Sequence, residues 1–169
     1  MDNNTKKDVK DISITYSIKD CKVLSYSSVY YQPIAEKNFI HDFTFQITTT
    51  HSIIPEKKFI QLITEVKIYF DPEKVTQLGD ISTVNIFEIK NFDEVVKKDD
   101  KGIYLPLQLM AMFVGLSISN TRGMLVAKAA GTCLQNAIIP VLNPTELLKK
   151  SIKDKQILES PTLVSDSPE

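Results

Sequence analysis

Residues Phe59 to Phe70 constrain this chain more than any others. Their even positions, Ile60, Leu62, Thr64, Val66, Ile68 and Phe70, are apolar with one threonine among them. The odd positions, Phe59, Gln61, Ile63, Glu65, Lys67 and Tyr69, are mixed. A period of two sends these sets to opposite faces of a strand. The chain therefore needs a sheet with one face turned to a core and the other carrying isolated apolar residues among polar ones.

Other segments repeat the period. Ile12, Ile14, Tyr16 and Ile18 alternate with Ser13, Thr15 and Ser17, and Phe43, Phe45 and Ile47 alternate with Thr44, Gln46 and Thr48. A fourth run spans Ile81 to Phe92, after an Asp71-Pro72-Glu73-Lys74 turn with proline at its usual second position. Tyr26 to Phe39, with Pro33 inside it, is expected to be a long connection. Short links and alternating faces predict an antiparallel sheet covered on one side.

After Lys101-Gly102 the alternation stops. Leu105 to Gly131 is rich in Leu, Met and Ala and predicts helix, in two pieces. Gly115, Ser119, Gly123, Ala127 and Gly131 recur every fourth residue, which stacks small side chains on one helical face and lets another backbone approach closely. A last helix is expected from Asn143-Pro144-Thr145-Glu146, where asparagine caps and proline suits the first turn, to about Leu158. Strands first and helices after make the fold class α+β: a four-stranded antiparallel sheet with C-terminal helices packed on one face. Residues 1–10 and 159–169 are expected to be polar tails around one domain at 11–158.

Composition removes several function classes. A net charge of −1 provides no basic field for nucleic acid. The polar start lacks the apolar segment of a signal peptide. The most apolar stretch, Ile103 to Ile118, contains Pro106 and Gln108 and falls short of the roughly 20 residues a membrane span needs. Two cysteines, Cys21 and Cys133, have no metal-ligand spacing. A reduced, cytoplasmic setting is the natural expectation. His41 and His51 belong to no metal or nucleophile motif, and the five glycines form no phosphate loop. The sequence thus predicts a binding protein with no catalytic residue, metal or cofactor.

Two features exceed an ordinary core. Tyr26, Tyr30 and Tyr31 place three of the six tyrosines within six residues. Tyrosine offers large amphipathic contact at small entropy cost, as binding surfaces use; folding back onto the edge of the core is the alternative. Phe59, Ile63 and Tyr69 lie on the face opposite the predicted core, where exposed apolar area implies a partner or burial in an oligomer.

From about Asp42 to Leu148 the chain resembles the SecB family of bacterial export chaperones. The features are FTFQITTT followed by ITEVKIYF, a strand ending NIFEI, the helical SNTRG containing Arg122, and IIPVLNPTELL after the stop at Gly131-Thr132. The resemblance implies a dimer of dimers with helices between sheets, unfolded polypeptide clients held in apolar grooves, and docking of the translocase motor SecA on an acidic sheet surface. Asp20 and Asp80 match acidic positions of that surface. The family's export chaperones are strongly acidic, unlike this near-neutral chain, and its relatives serve other clients, including antitoxins of toxin–antitoxin systems. The alternatives are an oligomeric adaptor without clients and a hot-dog thioesterase, whose central helix comes earlier, between strands.

Overall fold

The computed structural model describes residues 13–29, 43–70, 72–99 and 102–149. Strands β1 (Tyr16–Ser28), β2 (Thr44–Ile54), β3 (Phe59–Tyr69) and β4 (Gln77–Ile89) form an antiparallel sheet in the order β1-β4-β3-β2. A single-turn helix α1 (Phe92–Val95) and a small ribbon, β5 (Lys97–Asp99) with β6 (Gly102–Tyr104), lead into the long helix α2 (Leu107–Ala129). Residues 144–149 are again helical, here α3. This is the α+β arrangement the segregated pattern predicts.

The even positions of β3 are its buried face: Ile60, Leu62, Thr64, Val66 and Ile68 are all at 0% exposure. The register sets Leu62 beside Asn85, Thr64 beside Thr83 and Val66 beside Ile81, so the odd residues of β4 share that face. Helix α2 lies across it. Phe113 stacks on Phe87 with centroids 4.6 Å apart, and Thr121 Oγ1 meets Thr83 Oγ1 at 2.7 Å. Eight residues of helix thus match four of strand running the other way, about 12–13 Å in each case.

Four expectations change. The helix is one piece, because Gly115 and Gly123 cost only about 1 kcal/mol each relative to Ala and packing at both ends of α2 offsets that. As one 23-residue helix, α2 is long and apolar enough to cross a membrane by length and composition; here half of it is buried on the sheet. β1 begins at Tyr16 and runs through Ser28, with register shifts between Ile18 and Asp20 and between Val23 and Ser25. Two bulges reset the alternation, so Tyr26 belongs to a strand and not to a connection. Phe70 is 48% exposed, because the register shifts at Ile68/Tyr69 and the strand ends there. Residues 11 and 12, both expected tails and the far end of the last helix lie outside the described residues.

The chain after α2 closes the core's second end. Leu134, Ala137 and Ile139 are buried. Arg122 donates from Nε to the Ile139 carbonyl at 2.7 Å and from Nη2 to the Pro140 carbonyl at 2.9 Å. A fixed guanidinium fork suits two carbonyls presented side by side, which ties this segment to the helix. Asn143 Oδ1 accepts the Thr145 amide at 3.1 Å, the cap expected for α3.

Candidate functional site

The outward face of the sheet follows from the same register. One rung holds Thr50, Ile63, Val84 and Lys22, and neighbouring rungs hold Ser52, Gln61, Ile86 and Asp20, then Ile54, Phe59, Glu88 and Ser17. Ile54, Phe59, Ile63 and Ile86 are half-buried, and Val84 is only 5% exposed. The result is a shallow apolar patch bordered by hydroxyls and charges. β-branched and aromatic residues form strands well on either face, so local folding allows this surface without requiring it.

Phe59 and Ile63 sit in this patch. Tyr69 shares their face, yet it is 8% exposed and its hydroxyl donates to Gln46 Oε1 at 3.3 Å. It contributes less open area than the sequence suggests. Tyr26 is on the opposite face: it pairs with Ile81, and its hydroxyl lies 3.3 Å from Thr132 Oγ1 beyond the end of α2. The structure therefore separates Tyr26 from the sheet-face trio and packs it on the edge of the core. Tyr30, Tyr31 and His41 lie outside the described residues.

Asp20 and Asp80 both face outward. Six residues separate the β4 position beside Asp20 from Asp80, about 20 Å along a strand. Lys22 Nζ lies 2.7 Å from Asp20 Oδ2, and this hydrogen-bonded ammonium holds the carboxyl below its usual range. Asp80 Oδ2 accepts from Ser27 Oγ at 2.6 Å and faces Lys67 across the strands. Lys19 likewise pairs with Glu88 at 2.9 Å and lowers that carboxyl. Acids on this surface are interleaved with lysines and build no extended negative field.

The small-residue series is divided. A Cβ on Gly115 would meet Pro144 Cγ at 3.1 Å, so this glycine admits α3's first residue against α2. Ser119, Gly123 and Ala127 are exposed, with nothing within 4 Å of a Cβ at Gly123. Gly131, at φ 76°, lies past the helix end. Exposed Met112 and Val126 flank the small residues, leaving α2 with an outward apolar stripe that sequence periodicity could not distinguish from its buried face.

Between helix and sheet lies a polar seam that the sequence reading did not anticipate. Asn85 Oδ1 accepts from Asn120 Nδ2 at 2.8 Å and from Cys21 Sγ at 2.9 Å. Burial pushes the Cys21 and Cys133 thiols up, which makes both poor nucleophiles at neutral pH. No group of three or more His, Cys, Asp or Glu side chains stands close enough to hold a metal among the described residues.

No family model and no curated protein matches the sequence. Among solved structures, the chain is similar to the Mycobacterium tuberculosis SecB-like chaperone Rv1957, determined in complex with a ChAD peptide from the antitoxin Rv1956 HigA1. The match has 8% sequence identity and a TM-score of 0.48, and covers 75% of this chain and 87% of that one.

Proposed function

We propose that this protein is a chaperone that binds unfolded polypeptides. The observation that carries this reading is apolar area left open on both sides of a sheet-and-helix body. The outward patch of Ile54, Phe59, Ile63 and Ile86 is one part, and the stripe of Met112, Gly123 and Val126 on α2 is the other. Contiguous apolar surface rimmed by polar groups is characteristic of interaction sites. The order of motifs shared with the SecB family supports the same reading. The two surfaces suit different partners. The smooth helix stripe fits a second copy of the chain, giving a homo-oligomer with helices between sheets, while the irregular sheet patch fits clients. Tyr30 and Tyr31 are proposed to extend the client surface, whereas Tyr26 packs at the edge of the core.

Charge favours client binding without translocase docking. Asp20 and Glu88 are each compensated by a lysine, which disfavours an acidic landing site for SecA. An antitoxin-like or other dedicated client fits this balance better than a general export role. The reading is tested by diluting an unrelated denatured protein out of guanidinium beside this one. A chaperone suppresses the light scattering in proportion to its concentration. An adaptor leaves it unchanged, and a thioesterase would instead hydrolyse acyl thioesters.

A further inference from the structure

Where α2 crosses the sheet, the contact is apolar at both ends and polar in the middle. Phe113 stacks on Phe87 at one end, and Leu125 and Ile81 are buried at the other. Between them lie Thr64, Thr83, Asn85, Ser117 and Thr121, all at 0% exposure. Two hydrogen-bonded groups make up this seam. In the first, Thr121 Oγ1 donates to the Ser117 carbonyl at 2.8 Å. Thr83 Oγ1 must then be the donor in its 2.7 Å bond to Thr121 Oγ1, and neither hydroxyl has a proton left to give. In the second, Asn85 Oδ1 accepts from both Asn120 Nδ2 and Cys21 Sγ. That fills its two acceptor positions and turns the amide's Nδ2 away from β1, toward β3. Three buried polar atoms have no hydrogen-bond partner among the described residues: Asn85 Nδ2, Ser117 Oγ and Thr64 Oγ1. Burying an unpaired donor or acceptor is costly, and three at one interface call for a shared explanation.

We infer that the seam is a binding site for one buried water molecule, held by Asn85 Nδ2, Ser117 Oγ and Thr64 Oγ1. The register brings these groups to one place. Phe113 lies over Phe87 and Thr121 over Thr83, so Ser117, midway on the helix, lies over Asn85, midway on the strand. Thr64 pairs with Thr83, which makes it the diagonal neighbour of Asn85, roughly 7–8 Å away. These two side chains are not bonded directly, and one bridging water spans about 5–6 Å between its partners. The water accepts from Asn85 Nδ2 and donates to the two hydroxyl oxygens, the three bonds a buried water typically makes. An amide and two hydroxyls carry no charge to hold an ion. The way in is polar as well: Asn120 and Cys21, both half-buried, continue the network to the surface on the β1 side. Helix α2 is thus wet at the centre of its contact with the sheet and dry at both ends.

Oxygen-17 relaxation dispersion on the full-length protein tests this, with isotopically labelled water as the probe. A water held inside the fold exchanges slowly and is read separately from the surface layer. The parent should show at least one such water, and the folded double variant Thr64→Val with Ser117→Ala should show one fewer. A parent with none, or a folded double variant with the same number, overturns the proposal. Stability gives a second readout, whose sign separates a hydrated seam from a dry one. Thr64→Val keeps the shape and the strand propensity and removes one hydroxyl. If that hydroxyl holds the water, the folding equilibrium constant should fall about three- to tenfold, read as a lower urea midpoint. If it is simply unpaired, its removal leaves the constant unchanged or raises it, and that result overturns the proposal.

Discussion

Gly79 shows how strongly a single residue is specified. A Cβ there would collide with the Ser27 carbonyl and come within 2.8 Å of Leu134 Cδ1 and 3.1 Å of Ser28 Cα. Backbone cannot yield as a flexible side chain does, so Gly79→Ala should destabilise by about 2–3 kcal/mol, read as a lower urea midpoint. Arg122 is comparably constrained. Arg122→Lys keeps the charge but cannot reproduce the fork to two carbonyls, and should lose about 1–3 kcal/mol. A midpoint equal to the parent's would show that the 137–143 segment is held by packing alone. Cys21 provides a pH test. Its thiol is raised by burial, so the stabilisation it gives is complete below the unfolded thiol's range and is lost as pH rises through the folded value. Alkylation at pH 8 should be slower in the folded protein than in urea. Arg122 was legible in the sequence as part of SNTRG, although its two carbonyl partners were not, because they depend on how the chain turns after Gly131.

At the scale of elements, β3 was legible because it is central: both edges are paired with neighbouring strands, and its period of two survives intact. β1 was misread because bulges at an edge shift the period, putting Val23 and Tyr26 on one face with two residues between them. Leu78 escaped notice in the same way, at the register shift opposite Ile68 and Tyr69. α2 was recognised as helix, but its two faces are nearly equally apolar, so its pattern could not say which one meets the sheet. The exposed stripe makes a clear prediction. A Cβ at Gly123 has nothing within 4 Å, so Gly123→Leu should leave the helical circular dichroism unchanged while lowering the mass seen by light scattering. An unchanged mass would mean that this side of α2 is not an assembly surface.

Among the described residues, the four-stranded sheet is covered on one face by one long helix, and apolar side chains are partly exposed on the opposite face and on the outer side of that helix. Of the client surface expected from sequence, Phe59 and Ile63 lie together on the sheet, while Tyr26 packs at the core edge on the other face. Aromatic clustering along a chain says nothing about which side of a strand each ring takes, and that is why the expectation divided there. The patch holding Ile63 should act by many weak contacts, since ordering an extended client costs several kcal/mol. Ile63→Ser together with Phe59→Ser should therefore weaken client binding strongly, and either change alone only slightly, with the core unaltered because both side chains point outward. The central claim is that unfolded polypeptide is the ligand. Fluorescence anisotropy of labelled, carboxymethylated lactalbumin titrated with the full-length protein tests it most directly. The account predicts saturable binding in the micromolar range, competed by unlabelled unfolded chain and not by native lactalbumin; a flat titration, or equal competition by the native protein, would contradict it.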